Sequence, residues 1–448
     1  MAYAGSPLYV GAGTNGLAFA PPQHAMLVLG PPRSGKTSSL VVPNVLAAPG
    51  AVVATSTKPD VLAATFAERN KMGRTWLFDP LGTTPMPPGV RQLRWSPVPA
   101  SIDWEMAIRT TRAMVTAARP SGHIGEQAHW TERAEALLAP LLHAAALSEN
   151  GIDQVARWVN RHELNVPRQI LTVNDATLGV DILTGLKATD KRELSGIWST
   201  AAGVLAVYRS GRALEAAQDV NFDPRMLRGS SDTVYICSPG HDQSLTAPLA
   251  VGLLEQIRAG AFEAATAAYR TGRSAGLPIA LVLDEVANIA PLPDLPAIVS
   301  EGGSQGLVTL ACFQDLSQAR ARWGAAADGF PTLFGAKVVL GGILDGPTLQ
   351  LITQVGGEAE FPHNSVSRSP MFPLRGRHVT VTRSTRRQPL LPPDVVYRVP
   401  RGDAILISGP QRPRMVSLPP WWSTPPFNER PLPELPRPER GRNLGRSR

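Results

Sequence analysis

An α/β fold with a mostly parallel central sheet and an inserted all-α subdomain is what this chain predicts. Three features carry the prediction. Short apolar runs alternate with helical stretches on both sides of the chain's middle. A glycine-containing octapeptide stands between the first strong apolar run and a helix-forming stretch. Residues 101–215 lack strand signals and are rich in Ala, Leu and Arg at helical spacing.

Taken in order, the first twenty-four residues are small and turn-prone, and predict a short strand or arm. Ala25-Met26-Leu27-Val28-Leu29 is an apolar strand. Ala51-Val52-Val53-Ala54-Thr55 and Trp76-Leu77-Phe78-Asp79 are the next strands, separated by a helix from about Val61 to Asn70. Such alternation is the pattern of βαβ units. From about Pro97 the pattern turns helical, as in Trp130-Thr131-Glu132-Arg133-Ala134-Glu135-Ala136-Leu137-Leu138. Strands resume at 233–237, 278–283, 307–311 and 336–340, with a helix from Thr246 to Tyr269 between the first two. A last strand pair includes Ala404-Ile405-Leu406-Ile407, and after Trp422 the chain becomes a Pro/Arg tail unable to bury a core. The expected organisation is residues 1–100 and 216–422 as two parts of one domain, 101–215 as the helical insertion, and 423–448 as a disordered tail.

The octapeptide, Gly30-Pro31-Pro32-Arg33-Ser34-Gly35-Lys36-Thr37, has the spacing of a phosphate-binding loop. Its glycines let successive backbone N–H groups curl toward phosphate oxygens, and the following helix adds its positive end. Lys36 is expected to reach the β- and γ-phosphates of a nucleoside triphosphate, and Thr37 to ligate Mg²⁺. Turnover also needs an acid at the end of a buried strand. Ile279-Ala280-Leu281-Val282-Leu283-Asp284-Glu285 supplies one. Asp284 is placed to hold the Mg²⁺ and Glu285 to polarise the attacking water, the two motifs meeting at adjacent strand tips. The strand ending Cys312-Phe313-Gln314 offers Gln314 either as a contact to the γ-phosphate or lytic water, or as a strand-end amide bonded to backbone.

With 448 residues the chain exceeds one ordinary core, and a hydrophobic content of 43% suits a globular protein. No stretch is apolar and long enough to span a bilayer, and no signal-peptide pattern opens the chain, so a cytoplasmic or peripheral protein is expected. Cys237 and Cys312 lie in apolar runs and read as buried free thiols. The formal charge of +8 is carried mostly by arginine and favours polyanionic partners. Lysine occurs only at Lys36, Lys58, Lys71, Lys187, Lys191 and Lys337.

The chain resembles the TraG/TraD-type coupling proteins of conjugation and type IV secretion, within the FtsK/HerA group of ring ATPases. The likeness rests on the phosphate loop continuing as Ser38-Ser39-Leu40-Val41-Val42-Pro43-Asn44, on Thr57-Lys58-Pro59-Asp60, Phe78-Asp79-Pro80-Leu81 and Trp95-Ser96-Pro97. Asp284-Glu285-Val286-Ala287-Asn288-Ile289 with Pro293, Gln314, the 388–394 segment and Arg401-Gly402-Asp403-Ala404 complete it. The resemblance implies a RecA-like P-loop NTPase domain using ATP and Mg²⁺, with a substrate-facing helical insertion. It implies assembly as a homo-hexamer, or a monomer in isolation. It implies as partners a relaxase–DNA complex or a secreted protein, DNA held through its phosphates, and the membrane subunits of a type IV secretion system. The location expected is the cytoplasm or the inner face of the cell membrane. Two other readings stand beside it: an intracellular ring DNA translocase of the same fold, and a nucleotide-dependent docking module with little turnover.

Relatives commonly begin with membrane-spanning helices, whereas here either a soluble variant or a missing start is expected. They often carry an arginine where Gln305 stands in Glu301-Gly302-Gly303-Ser304-Gln305-Gly306, which leaves Arg320 or Arg322 as substitutes for a finger into a neighbour's site. Lys58 either approaches the phosphates or makes a surface ion pair. Arg368, Arg375, Arg377, Arg383, Arg386 and Arg387 either grip nucleic-acid phosphates in the ring's pore or belong to a solvated hairpin. His123, Glu126 and His129 lack further ligands at metal-binding spacing and read as a loop before the Trp130 helix.

Overall fold

A computed structural model describes residues 8–13, 16–118, 126–371 and 376–429; the side chains of 126–128, 367–371 and 376–380 are also outside the description. The chain opens with a hairpin, β1 (Tyr9–Gly13) and β2 (Gly16–Phe19), then β3 (Met26–Leu29), one π-type turn (Thr37–Val41) and α1 (Val42–Ala47). Next come β4 (Val52–Ser56), α2 (Asp60–Met72), β5 (Thr75–Phe78) and the short β6 (Arg91–Gln92). Helices then follow without an intervening strand among the described residues. They are α3 (Trp104–Ala117), α4 (Glu126–Leu147), α5 (Ile152–Arg161), α6 (Asn165–Val173), α7 (Thr177–Lys187), α8 (Lys191–Val204) and α9 (Gly211–Ala216).

The α/β pattern resumes with β7 (Thr233–Cys237), α10 (Gln243–Thr271), β8 (Ile279–Leu283), α11 (Val286–Ile289), α12 (Leu295–Gln305), β9 (Leu307–Phe313), α13 (Leu316–Trp323), α14 (Phe330–Leu333) and β10 (Ala336–Val339). Beyond α15 (Gly346–Gly356), β11 (Glu358–Met371) and β12 (Gly376–Pro389) pair, among the described residues, only with each other in a long antiparallel ladder. The last helix and strands among the described residues are α16 (Pro393–Tyr397), β13 (Asp403–Ser408) and β14 (Arg414–Ser417).

All strands but those of the hairpin join one sheet, in the order β2-β1-β14-β13-β10-β3-β9-β8-β4-β7-β5-β6. From β10 to β6 every neighbouring pair is parallel, and from β10 to β2 every pair is antiparallel. From β10 to β5 the parallel strands are mostly apolar and almost wholly buried, because both faces are covered, whereas the edge strand β6 is polar and exposed. Along β3 the alternation separates two cores. Met26 and Val28 pack with Leu40, Val41 and Val45 of the segment after the phosphate loop and with Val61 and Leu62 of α2. Leu27 and Leu29 belong to the same core as Leu249, Leu253 and Ile257 of α10, Met114 of α3 and Leu137 and Leu141 of α4. The helical stretch thus shares a core with the α10 side of the sheet. Gly252 permits that contact: a Cβ there would lie 2.9 Å from both Met114 and Trp95.

Two expectations are corrected. The phosphate-loop strand β3 and the acid strand β8 are not adjacent, because β9 lies between them. Strand order depends on how crossovers pack, and local patterning carries no record of it. The tail expected from residue 423 is packed at its start, where Thr424 and Phe427 are buried and the Phe427 ring meets Tyr9 edge-on at 5.4 Å. One aromatic anchor outweighs a Pro-rich composition here. Residues 430–448 lie outside the described residues.

Candidate functional site: a phosphate cradle facing a buried acid

The loop 30–36 leaves β3 and must reverse before the helix starts. Gly35 takes φ +100°, as only glycine does without strain, and Arg33 accepts a left-handed φ of 64°. Lys36 folds back into the cradle, its Nζ donating to Gly30 O and, at 2.9 Å, to Pro31 O. It is 9% exposed. Ser34 Oγ is buried in the same concavity with no partner among the described residues. Opposite, at the base of the loop, Gly342 (φ +92°) presses on Pro31, where a Cβ would stand 3.1 Å from the proline Cγ.

The acid arrives from β8. Thr37 Oγ1 donates to Asp284 Oδ2 at 2.9 Å, joining residues 247 positions apart across the tip of β9. Thr55 Oγ1, near the end of β4, donates to Asp284 O at 2.8 Å and fixes the backbone on the other side. Burial pushes the Asp284 carboxyl up from 3.8 to about 6, against the Thr37 hydrogen bond and the Lys36 charge, which act to lower it; the neighbouring Glu285 and Asp60 charges add to the rise. A buried carboxylate so placed is short of positive charge. Glu285 sits in the left-handed region at φ 49°, a conformation that costs a non-glycine residue about 1 kcal/mol and recurs at functional sites. Its half-buried side chain makes no hydrogen bond or ion pair among the described residues.

Gln314 follows β9, between the loop and the acid, and its backbone N–H is held by Gln318 Oε1 at 3.0 Å. The phosphate-loop residues Gly30, Pro31, Pro32, Arg33, Ser34, Gly35, Lys36 and Thr37 therefore share one strand-end pole with Asp284, Glu285 and Gln314. Lys58 is exposed and forms no ion pair among the described residues. Arg320 bonds Asp328 at 3.1 Å and Asp345 at 3.5 Å, and Arg322 donates to Ala117 O, so both substitutes for the absent loop arginine are held within the chain. Gln305 bonds Glu301 at 3.2 Å. Among the described residues no group of side chains is arranged to hold a metal by itself; His129 lies on α4, 3.4 Å from Glu193, and His123 falls outside the described residues.

The roles of several supporting residues escape sequence reasoning, although Asn44 and Asp79 stand in motifs that carry the family likeness. Asn44 clamps the backbone of Tyr9 from α1, with bonds of 2.7 and 2.9 Å. Arg69, fully buried on α2, donates to Ala48 O, Gly50 O, Ser231 O and Thr233 Oγ1, tying the end of the phosphate-loop helix to the strands behind it. Asp79, in the Phe78-Asp79-Pro80-Leu81 segment, accepts from the N–H groups of Leu81, Gly82, Thr83 and Thr84, while Arg212 of the helical stretch bonds the carbonyls of Leu81 and Gly82. Asp79 is thus a loop brace. No helix among the described residues is long and apolar enough to cross a membrane. Cys237 and Cys312 are free and buried, as the sequence reading expects.

The profile of the type IV secretory system conjugative DNA transfer family matches residues 2–434. Among solved structures, the bacterial conjugative coupling protein TrwBΔN70 in its unbound form superposes with a TM-score of 0.65 at 18% identity, over 92% of this chain and 88% of that one. TrwB in complex with the non-hydrolysable ATP analogue ADPNP gives 0.64 at 18% identity, over 89% and 86%. TrwB with ADP and Mg²⁺ gives 0.63 at 17% identity over the same shares. No curated protein sequence matches the chain. At such identities the structural likeness is one of fold, a RecA-like P-loop α/β domain, and it agrees with the profile. The chain belongs to the type IV secretory system conjugative DNA transfer family.

Proposed function

We propose that this chain is an ATP-driven coupling protein, which recruits a relaxase–DNA complex or a protein substrate and drives it toward a type IV secretion channel. The observation that carries the reading is the Thr37–Asp284 bond, which closes a phosphate cradle onto a buried acid in a chain of the conjugative DNA transfer family. The residues fit Mg²⁺ and ATP. An unpartnered Ser34 hydroxyl, a lysine resting on loop carbonyls and a carboxyl raised by burial are three groups that a magnesium triphosphate would satisfy. The related TrwB was crystallised with ADP and Mg²⁺ and with an ATP analogue.

In this reading Thr37 and Asp284 hold the metal, and Lys36 turns from the loop carbonyls to the β- and γ-phosphates. Mg²⁺ held by Thr37 and Asp284 would supply positive charge against the terminal phosphates. Glu285, fixed at its tip by the strained backbone, takes the proton of the attacking water, and Gln314 stands beside the terminal phosphate. The subunits form a homo-hexameric ring at the inner face of the membrane, contacting the channel's membrane subunits. Residues 101–215 form the substrate-facing subdomain, and the β11–β12 hairpin offers Arg383 and Arg386 to DNA phosphates.

ATPase measurement with and without DNA tests this. Stimulated turnover that disappears in Lys36→Ala and Glu285→Gln is expected, and full activity in either variant refutes the assignment. A second reading, a docking module that binds nucleotide and barely turns over, is favoured by one observation: Arg320 and Arg322 are both engaged inside the chain. Turnover that DNA does not raise would select it.

A further inference from the structure

The helix that follows Gln314 touches three parts of the molecule. Its first turn is fixed by Asp315, which accepts from the N–H groups of Ser317 and Gln318, and by Leu316 N–H donating to Thr348 Oγ1 at 3.1 Å. Gln318 Oε1 holds the backbone N–H of Gln314. At its far end, Trp323 Nε1 donates at 2.8 Å to Leu292 O, in the segment that continues from Asp284-Glu285 through α11. The Trp323 ring also packs edge-on against Phe313 of β9 at 5.8 Å. One residue earlier, Arg322 Nη2 donates to Ala117 O, the last carbonyl of α3.

Each contact has a physical sense. The final carbonyls of a helix lack intrahelical partners, and a cation there complements the helix dipole. In α3 the Ala118 N–H turns back to Met114 O and Thr116 O, and Arg322 serves Ala117 O. Arg322 thereby joins the stretch after the nucleotide-side strand to the first helix of the insertion, across 205 residues of sequence. Both its neighbour Trp323 and the start of its helix are anchored to segments leaving the acid pair and Gln314. A shift of those segments would reach α13, a helix of eight residues tied to both.

We propose that α13 transmits the nucleotide state from Glu285 and Gln314 to the helical insertion, with Arg322 as the positioning residue through which it acts on α3. The inference rests on the nucleotide-site reading above, and goes beyond it by naming the connection. Arg322 is thereby assigned to a contact within its own subunit.

Hydrogen exchange of the full chain, with and without Mg²⁺ and the non-hydrolysable analogue ADPNP, tests it. In the wild type, nucleotide is expected to protect residues 30–37 and to change exchange at 113–118 by about threefold or more. In Arg322→Ala, protection at 30–37 and ADPNP affinity remain within about twofold, while the response at 113–118 is lost. Arg322→Lys, which keeps a donor of the same charge, restores part of that response, a recovery that a purely structural role would not require. Protection at 30–37 without any change at 113–118 in the wild type, or an unaltered response in Arg322→Ala, overturns the proposal. Absence of protection at 30–37 overturns the nucleotide site itself, and the transmission with it.

Discussion

The phosphate-binding pole and the β11–β12 hairpin are both rich in charge, yet they treat charge in opposite ways. At the pole, Lys36 and Asp284 are buried at strand ends, each bonded to a neighbour and held by backbone that two cores surround. On the hairpin, the Arg387 and Glu360 side chains approach only to 3.9 Å and are largely exposed, and Val366 pairs with Val381 with about half of each in contact with solvent. Burial makes a charge expensive unless a partner or a ligand meets it. Exposure makes a charge nearly free and its geometry loose. The pole therefore holds its charges in one fixed geometry, and the hairpin leaves its charges exposed and loosely placed.

The largest effect expected separates the two regions at once. Lys36→Ala is expected to lower affinity for Mg²⁺·ATP by about 100-fold or more, because the cradle would lose its buried cation and the described residues offer no second one there. Glu285→Gln leaves binding nearly intact and removes turnover. Equilibrium titration beside steady-state ATPase assays reads both, and DNA binding by the hairpin should survive in each.

Asp284 gives the next effect, with opposite signs for stability and function. Its carboxyl titrates near 6 when folded and near 3.8 when exposed, so between those values the folded state holds the extra proton. Stability of the nucleotide-free protein therefore contains a contribution that falls as pH rises from about 4 to 6, and at neutral pH ionisation of Asp284 costs about 1–3 kcal/mol. Asp284→Asn is expected to raise the neutral-pH stability without nucleotide, to flatten that part of the pH profile, and to lose Mg²⁺-dependent affinity. Denaturant unfolding at several pH values checks it; a less stable variant would mean that the Thr37 bond matters more than the burial.

A smaller change is expected from Gly342→Ala. Its left-handed backbone and the 3.1 Å approach to Pro31 together cost about 1–2 kcal/mol, felt at the phosphate loop as a loss of nucleotide affinity of about tenfold. The smallest belongs to the hairpin. Arg383→Ala or Arg386→Ala should weaken DNA binding a few-fold, reduce the salt slope by about one unit, and leave unfolding unchanged within about 0.5 kcal/mol. A large loss of stability there would show that the hairpin is packed against something.

The same contrast decides what could be read from the chain before its structure. The octapeptide at 30–37 and the run ending in Asp284-Glu285 are local patterns, and each lies at the C-terminal end of a strand, β3 and β8. Their meeting is not local: β9 stands between them, a fact of crossover packing that no short window contains. Thr55, Asn44, Arg69 and Gly342 are ordinary residue types whose roles arise from contacts made far along the chain, 229 residues away for Thr55 and Asp284. Phe427 anchors a segment whose composition reads as a tail. The arginines of the hairpin admit two readings from sequence because polar residues on both faces leave no burial period to follow.

In the proposed mechanism Thr37 and Asp284 act together on one magnesium triphosphate. A double-mutant cycle on the affinity for Mg²⁺·ATP, using Thr37→Ala, Asp284→Asn and the pair, measures it directly. Strongly non-additive losses are expected, the double variant binding hardly worse than the weaker single. Losses that simply add, or an affinity that neither substitution changes, would contradict it.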